Sequence, residues 1–226
     1  MEKLNTIIIS DVHLGSPNSR AFDLTATLKS MRFKRIVING DMFEDLNFEK
    51  LTSTHWELLE HIGKLSRRDV EVVWIKGNHD GKFQRLMSYM IGIPVREEFI
   101  WEAGGRRFIA LHGHQFDSFI SNNKILGRLL ASMYTSFQRV VSSQLFDWIM
   151  LKLADRWLRA TEQIAGLALE YAVKKKCDVV VCGHTHFMYN ITKDSTEYYN
   201  TGCWNNKPSY LLAVEDDGSV NLKAVA

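Results

Sequence analysis

Proline, cysteine, net charge and long apolar runs are all scarce in this sequence, and each scarcity closes off a class of protein. Three prolines stand singly in 226 residues, so no stretch reads as a Pro-rich linker or a boundary between domains. The three cysteines, Cys177, Cys182 and Cys203, are odd in number and form no C-x-x-C pair. That argues against a disulfide framework and for a reducing compartment, with buried free thiols as the expectation. Lys and Arg exceed Asp and Glu by only two, 28 against 26, too little to imply a nucleic-acid partner. No segment approaches the ~20 apolar residues of a spanning helix, and the opening MEKLNTIIISD meets an acid too early for a secretory signal. A cytoplasmic protein is expected, at most peripheral on the inner face of the cell membrane.

With 46% hydrophobic and 24% charged residues, the chain can bury a full core without covalent staples. Short Val- and Ile-rich runs read as strands: TIIIS (6–10), RIVIN (35–39), EVVWI (71–75), RFIAL (107–111) and DVVVC (178–182). Each is continuously apolar, as in strands covered on both faces. Helical patterns around Phe22 to Met31 and Leu51 to Leu65 separate the first three at βαβ spacing. His55 and His61 fall on the second of these helices and read as structural. Later, TEYYNTG, YLLAVE and VNLKAVA are divided by turn chemistry and read as a more antiparallel run.

Residues 118–159 break this rhythm. Ile125, Leu129, Leu130, Met133 and Phe137 recur at helical spacing, and Leu145, Ile149, Leu153 and Trp157 continue the pattern in a second helix. A further helix, roughly Thr161 to Lys175, then leads into DVVVC. These patterns describe one α/β domain, residues 1–226, with a helical pair inserted at 118–159.

Polar residues follow each strand in a consistent way: SDVHLG, NGDMFED, KGNHDG, HGHQFD and GHTH. Ligands of α/β sheets bind beyond the carboxyl ends of the strands, so one shared site is the economical explanation. Asp11 and His13 stand two apart, as do His184 and His186, and in an extended chain such pairs point the same way. Asp41 in N-G-D, Asn78 and His79 in G-N-H-D, and His112 in L-H-G-H end other strands. Carboxylates, imidazoles and a carboxamide suit Mn²⁺, Fe²⁺ or Zn²⁺ better than Mg²⁺ or a thiolate-preferring ion. One ion takes four to six donors, so this set is better used by two ions ~3.5–4 Å apart, with Asp41 between them. Singly, a D-x-H or a G-D is most often a turn. In this order, each at a strand end, turns alone do not account for them.

The combination resembles the calcineurin-like metallophosphoesterase family, whose pattern is D-x-H, G-D-x-x-[DE], G-N-H-[DE], a later His-Gly and G-H-x-H. The resemblance implies an αββα sandwich of two mixed β-sheets flanked by helices. It also implies two divalent ions, manganese first, with one held by Asp11, His13, Asp41 and His186 and the other by Asp41, Asn78, His112 and His184. The family's G-D-x-x-[DE] acid falls on Glu44, beside Asp45. Two such ions would lower the pKa of a bridging water and neutralise the phosphate it attacks, so no protein nucleophile is needed. His79 would stabilise the transition state or protonate the leaving oxygen, with Asp80 orienting its ring.

For the substrate, Lys152, Arg156 and Arg159 form a basic stripe at i, i+4, i+7 beside the apolar insertion, which suits a phosphate head with acyl chains and docking on anionic membrane lipids. A cap that merely packs on the domain is the plainer alternative. SDVHLGS, GDMFED, GNHD, LHGHQFD, CGHTH and NTGCW together are similar to the UDP-2,3-diacylglucosamine hydrolases, especially shorter relatives that carry GNHD. That narrower resemblance implies release of UMP from a UDP-linked glycolipid, leaving 2,3-diacylglucosamine 1-phosphate. The better-characterised branch carries Arg where His79 stands and an acid where His114 stands; His114, which matches no metal position of the family, reads as a surface or supporting group or as a candidate substrate contact. A phosphodiesterase or phosphatase acting on a soluble nucleotide, or a metal-bearing scaffold, would share the same ligand pattern.

Overall fold

A computed structural model describes residues 3–45, 47–80, 88, 92–117 and 144–226, with only the backbone given over 144–157. In chain order the elements are β1 (Leu4–Ile9), α1 (Ala21–Ser30), β2 (Phe33–Asn39), α2 (Ser53–Ser66), β3 (Glu71–Ile75), β4 (Val95–Arg96), β5 (Glu98–Ala103), β6 (Arg106–Leu111), α3 (Gln144–Lys174), β7 (Val179–Cys182), β8 (Met188–Lys193), β9 (Thr196–Thr201), β10 (Ser209–Val214) and β11 (Val220–Val225). They form a six-stranded sheet, β11-β10-β1-β2-β3-β4, and a five-stranded sheet, β5-β6-β7-β9-β8. Both are mixed: β1, β2 and β3 run parallel while β10 opposes β1, and β6, β7 and β9 run parallel while β5 and β8 oppose their neighbours.

Alternation within the apolar runs shows why they lack polar residues. In β1, Ile7 and Ile9 join Leu24, Leu28, Leu58 and Ile62 of α1 and α2 on one side. Ile8 instead joins Val37, Val73, Phe108, Val179 and Val181 between the sheets. On the second sheet, Ile109, Leu111, Val180 and Cys182 turn outward to Ala165, Ala168, Leu169 and Ala172 of α3. Each central strand therefore buries both faces, and the layers run helix, sheet, sheet, helix. The αββα sandwich implied above is the observed architecture. His55 is buried and serves α2 as a cap, its Nδ1 accepting the Thr52 amide at 3.2 Å.

Two expectations need revision, and one strand had none. The helix read as ending near residue 159 and the next one, from Thr161, are a single α-helix of 31 residues, Gln144–Lys174. No glycine or proline separates Arg159 from Thr161, and Thr161 is buried, so nothing stops the helix there. The first member of the helical pair lies outside the described residues. The C-terminal antiparallel run is divided between sheets: TEYYNT forms β9 of the second sheet, antiparallel to β8 and parallel to β7, whereas β10 and β11 form the antiparallel edge of the first. Strand β8, MYNITK, gave no sequence signal because it is an exposed edge whose residues need no apolar period.

The space between the sheets is closed by aromatic rings: Phe108, wholly buried, stacks on Trp101 at 5.1 Å, and Trp101 stacks on Phe99 at 5.5 Å. Phe108→Ala is expected to cost about 3–5 kcal/mol of stability through lost transfer energy and the cavity left behind. Urea unfolding followed by tryptophan fluorescence measures this, and a cost below about 1 kcal/mol would show that the ring is not part of the inter-sheet core.

Candidate metal centre

The carboxyl ends of β1, β2, β3, β6 and β7 meet at one edge of the sandwich, and Asn39 pins the sheets together there. Its side-chain amide donates to the Leu111 and Val181 carbonyls, both at 3.1 Å, so the last residue of β2 is tied to β6 and β7. Its own carbonyl accepts from Nδ1 of His112 at 2.8 Å. That bond fixes the ring's orientation: Nδ1 donates to the carbonyl and Nε2 faces the site.

Five of the seven residues singled out as ligands adopt the left-handed backbone: Asp11 (φ 53°), His13 (φ 50°), Asp41 (φ 49°), His184 (φ 71°) and His186 (φ 58°). Asp and His tolerate this region better than most residues. The extended geometry expected of the i, i+2 pairs is therefore not what aims them, because each chain turns sharply at its strand end. Asp11 and His13 still converge, with Oδ1 3.9 Å from Nε2. Nε2 of His186 lies 3.2 Å from Asp11 Oδ1 and 3.0 Å from Nε2 of His13. His184 and His186 part company, as their side chains join different groups.

Among the described residues, ligand atoms gather in three sets, each within 4.8 Å: Asp11, His13 and His186; Asp41, His112 and His184; and His13, Glu44 and His79. In the second set Asp41 Oδ2 and Asn78 Oδ1 both lie 3.2 Å from Nε2 of His112. In the third, Glu44 Oε2 is 2.9 Å from Nδ1 of His13, while the Glu44 carbonyl holds Nδ1 of His79 at 2.7 Å. The His79 ring stands perpendicular to that of His13, centroids 5.0 Å apart. Glycines make room for these side chains. A Cβ at Gly77 would fall 2.0 Å from Asp41 Oδ1, and one at Gly183 would fall 2.3 Å from Asp11 Oδ2.

Asp80 does not orient His79. Its carboxylate is buried and accepts the amides of Gly77 (3.0 Å), Met42 (3.2 Å) and Phe43 (3.4 Å), because a buried carboxylate needs donors and the turns after β2 and β3 supply them. It therefore ties the G-D turn to the G-N-H-D turn. His114 does come close: its ring lies 5.5 Å from that of His112 and 6.3 Å from that of His184, with a buried Nδ1. Arg159 is exposed on α3, while the side chains of Lys152 and Arg156 lie outside the described residues. Sequence reasoning missed Asp117, whose Oδ2 is 2.9 Å from Nε2 of His184. It was visible only as the last residue of HGHQFD, a spacing tied to no rule.

Burial raises the cost of charge on Asp11 and Asp41, yet the surrounding histidines together outweigh it, His112 foremost, then His186 for Asp11 and His79 and His13 for Asp41, and both carboxyls are held below their ordinary range. For His112 burial likewise opposes charge, but Asp41 and then Asp11 keep its proton up to about 10. Burial and then the Asp41 charge push Asp80 up to about 6. His114 is pushed down to about 4 by burial, then by His112 and His184. A cation is the chemistry this donor set fits: two buried carboxylates, with imidazole nitrogens on different strands turned toward common points.

The sequence model of the calcineurin-like phosphoesterases matches residues 4–188. The chain belongs to that family. It is a metal-dependent phosphoesterase, and the ligand sets above are where divalent ions fit. Among curated relatives, a UDP-2,3-diacylglucosamine hydrolase of Neisseria gonorrhoeae is 21% identical over 94% of this chain and 95% of its own length. One from Neisseria meningitidis serogroup A is 22% identical over the same shares. Among solved structures, an archaeal phosphodiesterase superposes with a TM-score of 0.52 at 13% identity, covering 97% of this chain and 98% of that one. The Escherichia coli phosphoesterase Yfce gives 0.50 at 14%, covering 98% and 99%. At such identities the structures speak for the fold alone.

Because His112 holds its proton up to about 10 while a metal-bound imidazole must be neutral, metal binding at pH 7 is expected to release a proton and to tighten as pH rises. Calorimetric titration of the metal-free phosphoesterase with Mn²⁺ in two buffers of different ionisation enthalpy tests this. Identical apparent enthalpies would show that no proton leaves.

Proposed function

We propose that this phosphoesterase releases UMP from UDP-2,3-diacylglucosamine, or from a closely similar UDP-linked diacylated sugar, using two divalent ions. The observation that carries the substrate is the end-to-end correspondence with hydrolases of that name, 94% of this chain against 95% of theirs. In this reading Asp11, His13 and His186 hold one ion, His112, His184 and Asn78 hold the other, and Asp41 serves both. Their nitrogen and oxygen donors suit Mn²⁺, with Fe²⁺ or Zn²⁺ as alternatives. When bound, such ions supply Lewis acidity toward phosphate oxygens and an acidified water.

The chain's own residues do the rest. Nδ1 of His79 is engaged by the Glu44 carbonyl, which leaves Nε2 to meet a phosphate or leaving-group oxygen. The left-handed turns and the Asn39 clamp set the ligands before substrate arrives, so little reorganisation accompanies reaction. Lys152, Arg156 and Arg159 lie on α3 and would meet the diphosphate or anionic lipid heads, while residues 118–159 would shelter acyl chains and His114 would contact the substrate. A cytoplasmic enzyme reaching its lipid from the membrane surface fits this, and among the described residues no helix is long and apolar enough to cross a membrane.

His79 and His114 stand where the better-characterised branch carries Arg and an acid, and this favours a second reading, cleavage of soluble nucleotide phosphodiesters. Mass-spectrometric assay of UMP release from UDP-2,3-diacylglucosamine with Mn²⁺, beside a soluble phosphodiester, separates the two. Release of UMP at a kcat/KM at least ~100-fold above that for the soluble ester supports the glycolipid. The reverse ratio assigns the soluble substrate. His184→Ala and His186→Ala are each expected to leave one ion bound per chain and to cut activity by more than the roughly 10–100-fold that loss of an outer hydrogen-bond partner costs. Elemental analysis showing both ions lost from each variant would dissolve the division of ligands.

A further inference from the structure

Resting on the two-ion reading, we infer that Asp117 is a positioning residue for His184. Its carboxylate holds Nε2–H of His184 so that Nδ1 is the nitrogen presented to the ion shared with His112 and Asp41. Oδ2 of Asp117 lies 2.9 Å from Nε2 of His184, and the two side chains are 3% and 5% exposed, so the contact is shielded from water. An imidazole binds an ion through one nitrogen and donates from the other. With Nε2 facing a carboxylate, the lone pair is left on Nδ1. A carboxylate partner also makes the ring a stronger ligand than a neutral acceptor would.

Local structure explains why Asp117 arrives there. After β6 the chain turns through Gly113 at φ 107°, a conformation suited to glycine. A short 3₁₀ turn follows, closed by Phe116 N–H to the Gly113 carbonyl (3.1 Å) and Asp117 N–H to the His114 carbonyl (3.2 Å). Phe116 anchors this turn on Tyr171 of α3, ring centroids 5.8 Å apart. The same six residues, HGHQFD, thus bring His112 edge-on to the His184 ring at 5.3 Å and Asp117 against its Nε2. One loop supplies a ligand and holds a second ligand that belongs to another strand.

Calorimetric Mn²⁺ titration of wild type, Asp117→Ala and Asp117→Asn tests the assignment, with melting temperatures taken with and without the ion. For Asp117→Ala the dissociation constant of one ion is expected to rise ~10–100-fold while the other is unchanged, and Asp117→Asn, which keeps an acceptor, should recover part of the loss. The metal-free melting temperature should stay near that of wild type while the rise on adding Mn²⁺ shrinks; a residue that only supported the loop would lower the first and leave the second intact. In the zinc-loaded protein, ¹⁵N spectra of labelled histidine should show His184 protonated at Nε2. Wild-type affinity for both ions in Asp117→Ala overturns the inference. So does outright loss of an ion in both variants, which would make Asp117 itself a ligand, or protonation of His184 at Nδ1. Wild type that binds fewer than two ions overturns the two-ion reading underneath it. If Asp117→Ala does not fold, the near-isosteric Asp117→Asn decides, since unchanged affinity for both ions there is also contrary to the assignment.

Discussion

Asp11 and Asp41 are carboxylates buried at the carboxyl ends of neighbouring parallel strands, 0% and 2% exposed, and an isolated charge in such a place costs far more than a domain's whole stability. The upper edge of the sandwich is organised around relieving that cost. Backbone amides turn toward the carboxylates, with His184 N–H on Asp11 at 3.0 Å and His79 N–H on Asp41 at 2.8 Å. His112 retains a proton between them. Glycines are required where any Cβ would strike a carboxylate oxygen. The same field that would be ruinous without compensation attracts divalent cations, so the requirement of the fold and the chemistry of the site are one electrostatic problem.

Strand ends were legible in the sequence because the apolar runs stop abruptly. Ile9, Asn39, Ile75, Leu111 and Cys182 are the last strand residues, and the quoted polar clusters begin at or just after them. Parallel strands place like ends together, which is why residues from position 11 to position 186 meet at one edge. The second sheet's make-up was less legible. Strand β8 buries too little to carry a period, and TEYYNT is the second arm of a hairpin with β8 whose other edge pairs parallel with β7. In α3, two stretches read separately are one helix because the composition between them offers nothing to end it.

Within the site, residue types survived the passage to structure better than reasons did. The two-apart pairs meet through left-handed turns and not through an extended chain. Asp80, adjacent to His79 in sequence, binds three backbone amides on its far side, since neighbours along a tight turn diverge. Asp117 is five residues from His112 and sixty-seven from His184, a relation that only the loop's path creates. The substrate lies beyond all of this, because a shared fold hosts many phosphoesters and the groups that choose among them stand outside the metal edge.

The left-handed turns have an evolutionary corollary. The five candidate ligands at positive φ cost of the order of 1 kcal/mol each relative to glycine, and that conformational debt is carried by the empty protein as well as the loaded one. Glycine at these positions would relieve that strain but remove the side chains a cation needs. A lineage released from the need for ions would drift toward glycine at positions 11, 13, 41, 184 and 186 and become more robust to heat as it lost its chemistry.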